Sequence, residues 1–234
     1  MSDGVGRGPG VITGDGCAVE VYARLPTAGD PELIHTHAPP GCSILELGAG
    51  TGRIADPLAR LGHHVVAVDN SPDMLARIRR AKVVLANIED LQLAERFDVV
   101  LLASHLINTP DPAQRGSLLA AVTRHLAPAG RALIEWHPPE WFDQLGPGRT
   151  YAGTIGDLAS DLRVTSLEDG LLTAVVTYRS GVQSWTHTFA ARRLDLAGLR
   201  VQMLGAGLIL SGPLAGAPQW LHAALAGPQI PVEA

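Results

Sequence analysis

Apolar residues in the first half of this chain gather in short, nearly unbroken runs, and further on they alternate with polar ones. The runs at Ile44–Leu47, His64–Asp69, Lys82–Ala86, Phe97–Leu102 and Arg131–Glu135 are too short for buried helices. They read as strands covered on both faces. Helices are predicted between them. Arg53–Leu61 stops at Gly62, and Ser71 caps a helix with Pro72 at its first position. Gln114–Leu126 sets Leu118, Leu119, Val122 and Leu126 on one face. Strands that alternate with helices predict a doubly wound α/β sheet. Beyond it, Asp161–Leu167, Leu171–Arg179 and Ser184–Leu194 read as antiparallel strands separated by turns at Glu168-Asp169-Gly170 and Ser180-Gly181. Asp195–Gly205 is predicted as the last helix and Gln219–Leu225 as the final strand.

The N-terminal stretch has a different pattern. Met1–Gly16 holds six glycines and little to bury, which predicts a mobile tail. Ala18–Leu25 and Asp30–Thr36 read as short helices, the second with Asp30 as N-cap, and Pro39-Pro40-Gly41 closes the segment. The expected organisation is a tail over 1–16, lid helices over 17–40, and one domain over 41–234. A wall of antiparallel strands at about 161–194 belongs to that domain.

At 234 residues, 46% hydrophobic and 18% charged, the composition fits one globular domain. The net charge is −5, Lys82 is the only lysine and no basic run occurs, which argues against a nucleic-acid partner. No apolar stretch approaches the roughly 20 residues of a membrane span, and no apolar signal core follows the N-terminus. Cys17 and Cys42 are too few for a disulfide framework, so the expected location is the cytoplasm. Monomer and homodimer both stay open.

The candidate chemistry lies where the first run breaks into glycines. Ser43–Gly52 reads Ser-Ile-Leu-Glu-Leu-Gly-Ala-Gly-Thr-Gly. A strand, a tight glycine turn and a helix start form the first βα unit of a doubly wound sheet, and such sheets bind ligands at the carboxyl ends of their strands. A dinucleotide fingerprint places glycine or alanine where this chain has Arg53, which disfavours a nicotinamide cofactor. Asp69 ends the next strand, where a carboxylate can accept from both ribose hydroxyls. Further landmarks follow in order: Val68-Asp69-Asn70-Ser71-Pro72-Asp73-Met74-Leu75, Asn87-Ile88-Glu89-Asp90-Leu91, Phe97-Asp98-Val99-Val100, and Leu126 to Ile134 with Pro128-Ala129-Gly130 inside it. With Glu46–Gly52, they resemble the motifs of class I S-adenosylmethionine-dependent methyltransferases over about Ser43–Glu135.

That resemblance implies a Rossmann-like, seven-stranded and mostly parallel sheet, an N-terminal helical lid and an antiparallel strand extension. It implies S-adenosyl-L-methionine as cofactor, S-adenosyl-L-homocysteine as product, and O- or N-methylation of a small-molecule acceptor in secondary metabolism. Cofactor contacts would fall on Glu46, Gly48, Gly50, Gly52, Asp69, Asn70, Met74, Asn87, Ile88, Glu89, Ala103 and Ser104. Asn87 stands where the family commonly has aspartate, and its carbonyl can still accept from an adenine amino group. His105 and His137 follow the fourth and fifth strands at the carboxyl edge, and imidazole titrates in the range a base needs. Tyr22 in the lid and Glu140 are rivals for a catalytic part. No spacing suggests a metal. His35 and His37 read as solvated, and His63 and His64 as a helix end. Two alternatives remain: the same fold used for non-methylating chemistry or binding only, and a nicotinamide-dependent oxidoreductase.

Overall fold

The computed structural model describes residues 5–227. In chain order it has β1 (Gly6–Arg7), α1 (Val19–Tyr22), α2 (Asp30–His37), β2 (Ser43–Leu47), α3 (Ala55–Arg60), β3 (His64–Asp69) and α4 (Pro72–Leu75). There follow β4 (Lys82–Leu85), β5 (Phe97–Leu102), a 3-10 turn at Leu106–Asn108, α5 (Pro112–His125), β6 (Leu126–Glu135) and α6 (Pro139–Asp143). The remainder is β7 (Thr150–Ile155), β8 (Leu158–Glu168), β9 (Leu171–Ser180), β10 (Gln183–Arg192), α7 (Leu196–Gly205), β11 (Leu208–Leu214) and β12 (Ala217–Leu225).

The main sheet has seven strands in the order β11-β12-β6-β5-β2-β3-β4. Five are parallel, and β12 runs antiparallel to both β6 and β11. The unbroken apolar runs are explained by cover on both faces. Leu45, Leu47, Val100 and Leu102 pack with Leu118, Leu119 and Val122 of α5 on one face. Ile44, Val99 and Leu101 pack with Ile34, Leu58 and Trp220 on the other. Burial of a Leu, Ile or Val on this scale is worth roughly 1.5–3 kcal/mol each. Strand order reverses between β2 and β5, which opens a crevice above their carboxyl ends.

The antiparallel strands do not lengthen this sheet. They form a second one, in the order β1-β10-β9-β8-β7, with a core of its own from Phe142, Val164, Leu172, Ala174 and Ala191. Both edges of the main sheet are already taken, one by β4 and the other by β11. The sequence pattern misses β7 and β11. Leu208–Leu214 has alternating burial but carries Gly212 and Pro213, which an edge strand tolerates and a sequence pattern reads as a break.

The expected tail also differs. Residues 1–4 lie outside the described residues, but Gly6 and Arg7 pair with His187 and Thr186 of β10. The Trp185 indole N–H donates to the Pro9 carbonyl at 2.8 Å. A Cβ on Gly8 would stand 2.4 Å from the Trp185 ring. Glycine here permits close packing on tryptophan. Nor does Asp30 cap α2. Gly29, at φ +85°, holds that position, and the buried Asp30 carboxylate accepts from Arg53 Nη1 and Trp220 Nε1, both at 3.0 Å. His35 is not simply solvated, and His63 does more than end a helix. His35 Nδ1 lies 2.9 Å from His63 Nε2, and the buried His63 reaches the Cys42 thiol through Nδ1 at 3.3 Å.

Candidate active site

The carboxyl ends of β2, β3, β5 and β6 face the second sheet across a cavity of about 780 Å³, within the roughly 300–1,000 Å³ typical of ligand pockets. Thr13, Cys17 and Tyr22 of the N-terminal segment line it from one side, and Leu162, Tyr178 and Phe189 from the second sheet.

At one end lies the glycine turn. Gly48 and Ala49 donate their N–H groups to the Val68 carbonyl at 2.9 and 2.8 Å, which binds the turn to β3. Its glycines serve different ends. A Cβ on Gly50 would meet nothing within 4 Å and would point into open space. A Cβ on Gly48 would strike Leu106, and one on Gly52 would strike Ile78. Gly52 therefore serves packing and does not line the cavity. Asp69 accepts from the Gly50 N–H at 2.8 Å and the Ser71 N–H at 2.9 Å, one on each carboxyl oxygen. Each oxygen keeps a lone pair for a ribose hydroxyl. Burial raises the Asp69 pKa, and the Ser71 and Gly50 N–H groups oppose the rise. Ser71 caps α4 by accepting from the Met74 N–H at 3.3 Å.

Glu46 is 2% exposed, and its Oε2 has no hydrogen-bond partner among the described residues. Burial pushes its pKa up to about 8, with the Arg53 guanidinium pulling the other way. A buried carboxyl oxygen with no donor is costly, and it is suited to the ammonium of an amino-acid moiety. The open space beside Gly50, the Asp69 carboxylate and the unpartnered Glu46 oxygen thus fit the cofactor that the resemblance implies. Met74, Ile88, Glu89, Asn70 and Ser104 line the same cavity. Besides Gly52, two further expected contacts do not line it. Asn87 is exposed and off the cavity, its amide engaged with Asn70 at 3.3 Å and Asp90 at 3.4 Å. Ala103 is fully buried beneath the site, with the rest of one apolar core.

At the other end, Ser104 and His105 leave β5 with φ of +56° each, a left-handed conformation that side-chain-bearing residues rarely adopt. The His105 ring stacks on His137 with centroids 3.6 Å apart, and His137 stacks on Trp141 at 3.8 Å. Burial, then the Arg53 charge, pushes the His105 pKa down to about 4; burial and the adjacent His105 push His137 down to about 3. Both imidazoles are neutral at pH 7. Glu135, at the end of β6, lies with Oε1 3.5 Å from His105 Nε2 and accepts from the Ser104 N–H through Oε2 at 2.6 Å. Burial and the nearby Asp30 push its pKa up to about 7.

Asn108 fixes the relation of the two histidine-bearing segments. Its amide accepts from the His137 N–H at 2.8 Å and donates to the carbonyls of His137 and Arg192. Tyr22 lines the cavity and accepts from the Cys17 thiol at 3.1 Å. Burial holds its pKa far above neutrality, so its hydroxyl stays protonated. Glu140 is exposed and off the cavity. The sequence reading gave Glu135 no part in the site, although an acid that ends an apolar strand is the signal that identified Asp69. It also passed over Tyr178 and Phe189, whose inward direction follows from the second sheet.

Residues 44–130 match the family described as a methyltransferase domain. The cypemycin N-terminal methyltransferase of a Streptomyces species is 33% identical over 145 residues, which cover 56% of this chain and 59% of that protein. The chain thus matches about three fifths of the length of that curated relative. Among solved structures, the CcbJ methyltransferase of Streptomyces caelestis superposes with a TM-score of 0.72 at 22% identity, covering 86% of this chain and 96% of that one. The sugar N-methyltransferase KedS8 of a Streptoalloteichus species gives 0.70 at 17% identity, covering 94% and 98%. The fold is the Rossmann-like one of the solved methyltransferases on which the chain superposes.

Proposed function

We propose that this protein transfers a methyl group from S-adenosylmethionine to an oxygen or nitrogen of a small-molecule acceptor, in secondary metabolism. The observation that carries the reading is one continuous cavity. It joins the glycine turn, Asp69 and the unpartnered Glu46 to the neutral His105, His137 and Trp141 wall. When bound, the cofactor would supply an electrophilic methyl on a sulfonium sulfur that can keep the electron pair of the C–S bond. The chain's residues then have two tasks. They hold acceptor and methyl in line, which can supply roughly 7–11 kcal/mol, and they take a proton where the acceptor must lose one. We assign that part to His105, whose imidazole is neutral and lines the cavity. Asp69 and Glu46 hold the nucleoside and amino-acid ends. The relatives named above, the cypemycin N-terminal methyltransferase and the sugar N-methyltransferase KedS8, support a natural-product acceptor.

Thermal-shift titration with S-adenosylhomocysteine and with NAD, followed by product mass on a panel of hydroxyl and amine acceptors, tests the proposal. Stabilisation by S-adenosylhomocysteine alone and a mass gain of one methyl are expected. Stabilisation by NAD alone defeats it.

A further inference from the structure

We infer that Glu135 is the positioning residue of the transfer step: one carboxyl oxygen holds Ser104 and His105 in their left-handed turn, and the other sets the imidazole. Three observations meet at this carboxylate. Oε2 accepts the Ser104 N–H at 2.6 Å, at a backbone position that is strained without support. Oε1 stands 3.5 Å from His105 Nε2. The group is 7% exposed, so solvent does little to screen either interaction. The imidazole is clamped on its face as well, by His137 and through it Trp141. The other charged groups bearing on the pair are Arg53, Asp30 and Glu46, and Arg53 is itself bound to Asp30 at 3.0 Å.

The consequence is a pair that holds one proton. A neutral imidazole beside a protonated Glu135, and an imidazolium beside a carboxylate, differ only in which side of a short gap that proton occupies. When an acceptor X–H gives up its proton, X keeps the electron pair for its new bond to carbon, and the proton stays on the pair until it passes to solvent. His105 alone, buried and next to Arg53, would take a proton poorly at neutral pH. The pair takes one near pH 7, where Glu135 titrates. The consequence for turnover rests on the methyltransferase reading above; the geometry does not.

The test is a pH titration of the full chain by NMR, following the ring nitrogens of His105 and the carboxyl carbon of Glu135, in the parent and in Glu135→Gln. S-adenosylhomocysteine affinity is measured alongside. The expected result is that both groups of the parent report one common midpoint. In Glu135→Gln the His105 signal should lose that step, while S-adenosylhomocysteine affinity stays within about threefold. With an acceptor in hand, kcat should fall roughly ten- to a hundred-fold in Glu135→Gln, with the neutral limb of its pH profile gone. Separate midpoints in the parent, or an unchanged His105 titration in the variant, overturn the inference. If Glu135→Gln does not fold, the shared midpoint in the parent decides by itself. A shared midpoint in a protein that binds no S-adenosylhomocysteine upholds the pair and counts only against the cofactor.

Discussion

Asp69 shows how far one carboxylate can be asked to act. Both of its oxygens already receive backbone N–H groups, from Gly50 and Ser71, and these aim its free lone pairs into the cleft. Asp69→Ala is expected to weaken S-adenosylhomocysteine binding by about 1.5–3 kcal/mol, the scale of hydrogen bonds to a charged group; calorimetry checks this, and unchanged affinity removes the ribose assignment. His105 stands past the cofactor end of the cavity. His105→Ala should therefore lower kcat by roughly a hundredfold or more while leaving cofactor affinity nearly intact, and equal kinetics in variant and parent would take it out of the mechanism. His137 is a weaker candidate base than its position in the sequence suggests. Sandwiched between two rings, it serves as wall. The residue types at these positions were legible in the chain. Their partners were not, because Glu135 and His105 are thirty residues apart and meet only when β5 and β6 pair.

Among the elements, the N-terminal segment changes most between sequence and structure. Glycine spacing predicted a tail, yet Gly8 and Gly10 lie where side chains would collide with Trp185 and Glu20. Composition alone cannot tell a glycine kept for freedom from one kept for close approach. Removing residues 1–16 should expose Trp185, which is now 1% exposed and bonded to Pro9. A red shift of tryptophan emission and faster proteolysis of the second sheet are expected; an unaltered spectrum would show that the segment does not cover it. A second test concerns the loop after β5. Asn108→Ala leaves the part-buried His137 N–H and Arg192 carbonyl without their partner, so it should cost about 1–3 kcal/mol in denaturant unfolding. Turnover should fall as well, since the amide ties the His105 loop to His137.

For the whole molecule, burial of titratable groups sets a pH dependence. His63, His105, His125, His137, His187 and His222 all have pKa values lowered from 6.5, chiefly by burial. The unfolded chain takes up these protons more readily, so stability falls as pH drops below about 6.5. Glu46 and Glu135 have raised pKa values, about 8 and about 7. Their contribution is fully present below about 4.5 and is lost as pH rises through those values. The histidines oppose the acids between about 4.5 and 6.5, and above that range the histidines no longer offset them. The thermal midpoint of the cofactor-free protein is expected to peak near pH 6.5 and to decline on both sides. In Glu46→Gln the alkaline decline should be shallower, by on the order of 1 kcal/mol or more at pH 9. Melting curves from pH 4 to 9 check both, and a midpoint still rising at pH 8 contradicts them.

The chain by itself determined the parallel sheet, its glycine turn, the acid that ends β3 and the family motifs, because these depend on residues close in sequence and on a period the backbone imposes. Tertiary structure alone decided that the later strands form a separate sheet, that β11 fills the free edge, and that the glycine-rich start packs on tryptophan. It alone also joined Glu135, His105, His137 and Trp141 in one column and left one Glu46 oxygen without a donor among the described residues. Those outcomes depend on which surfaces are still open once the first sheet has closed, and a local pattern does not encode that competition.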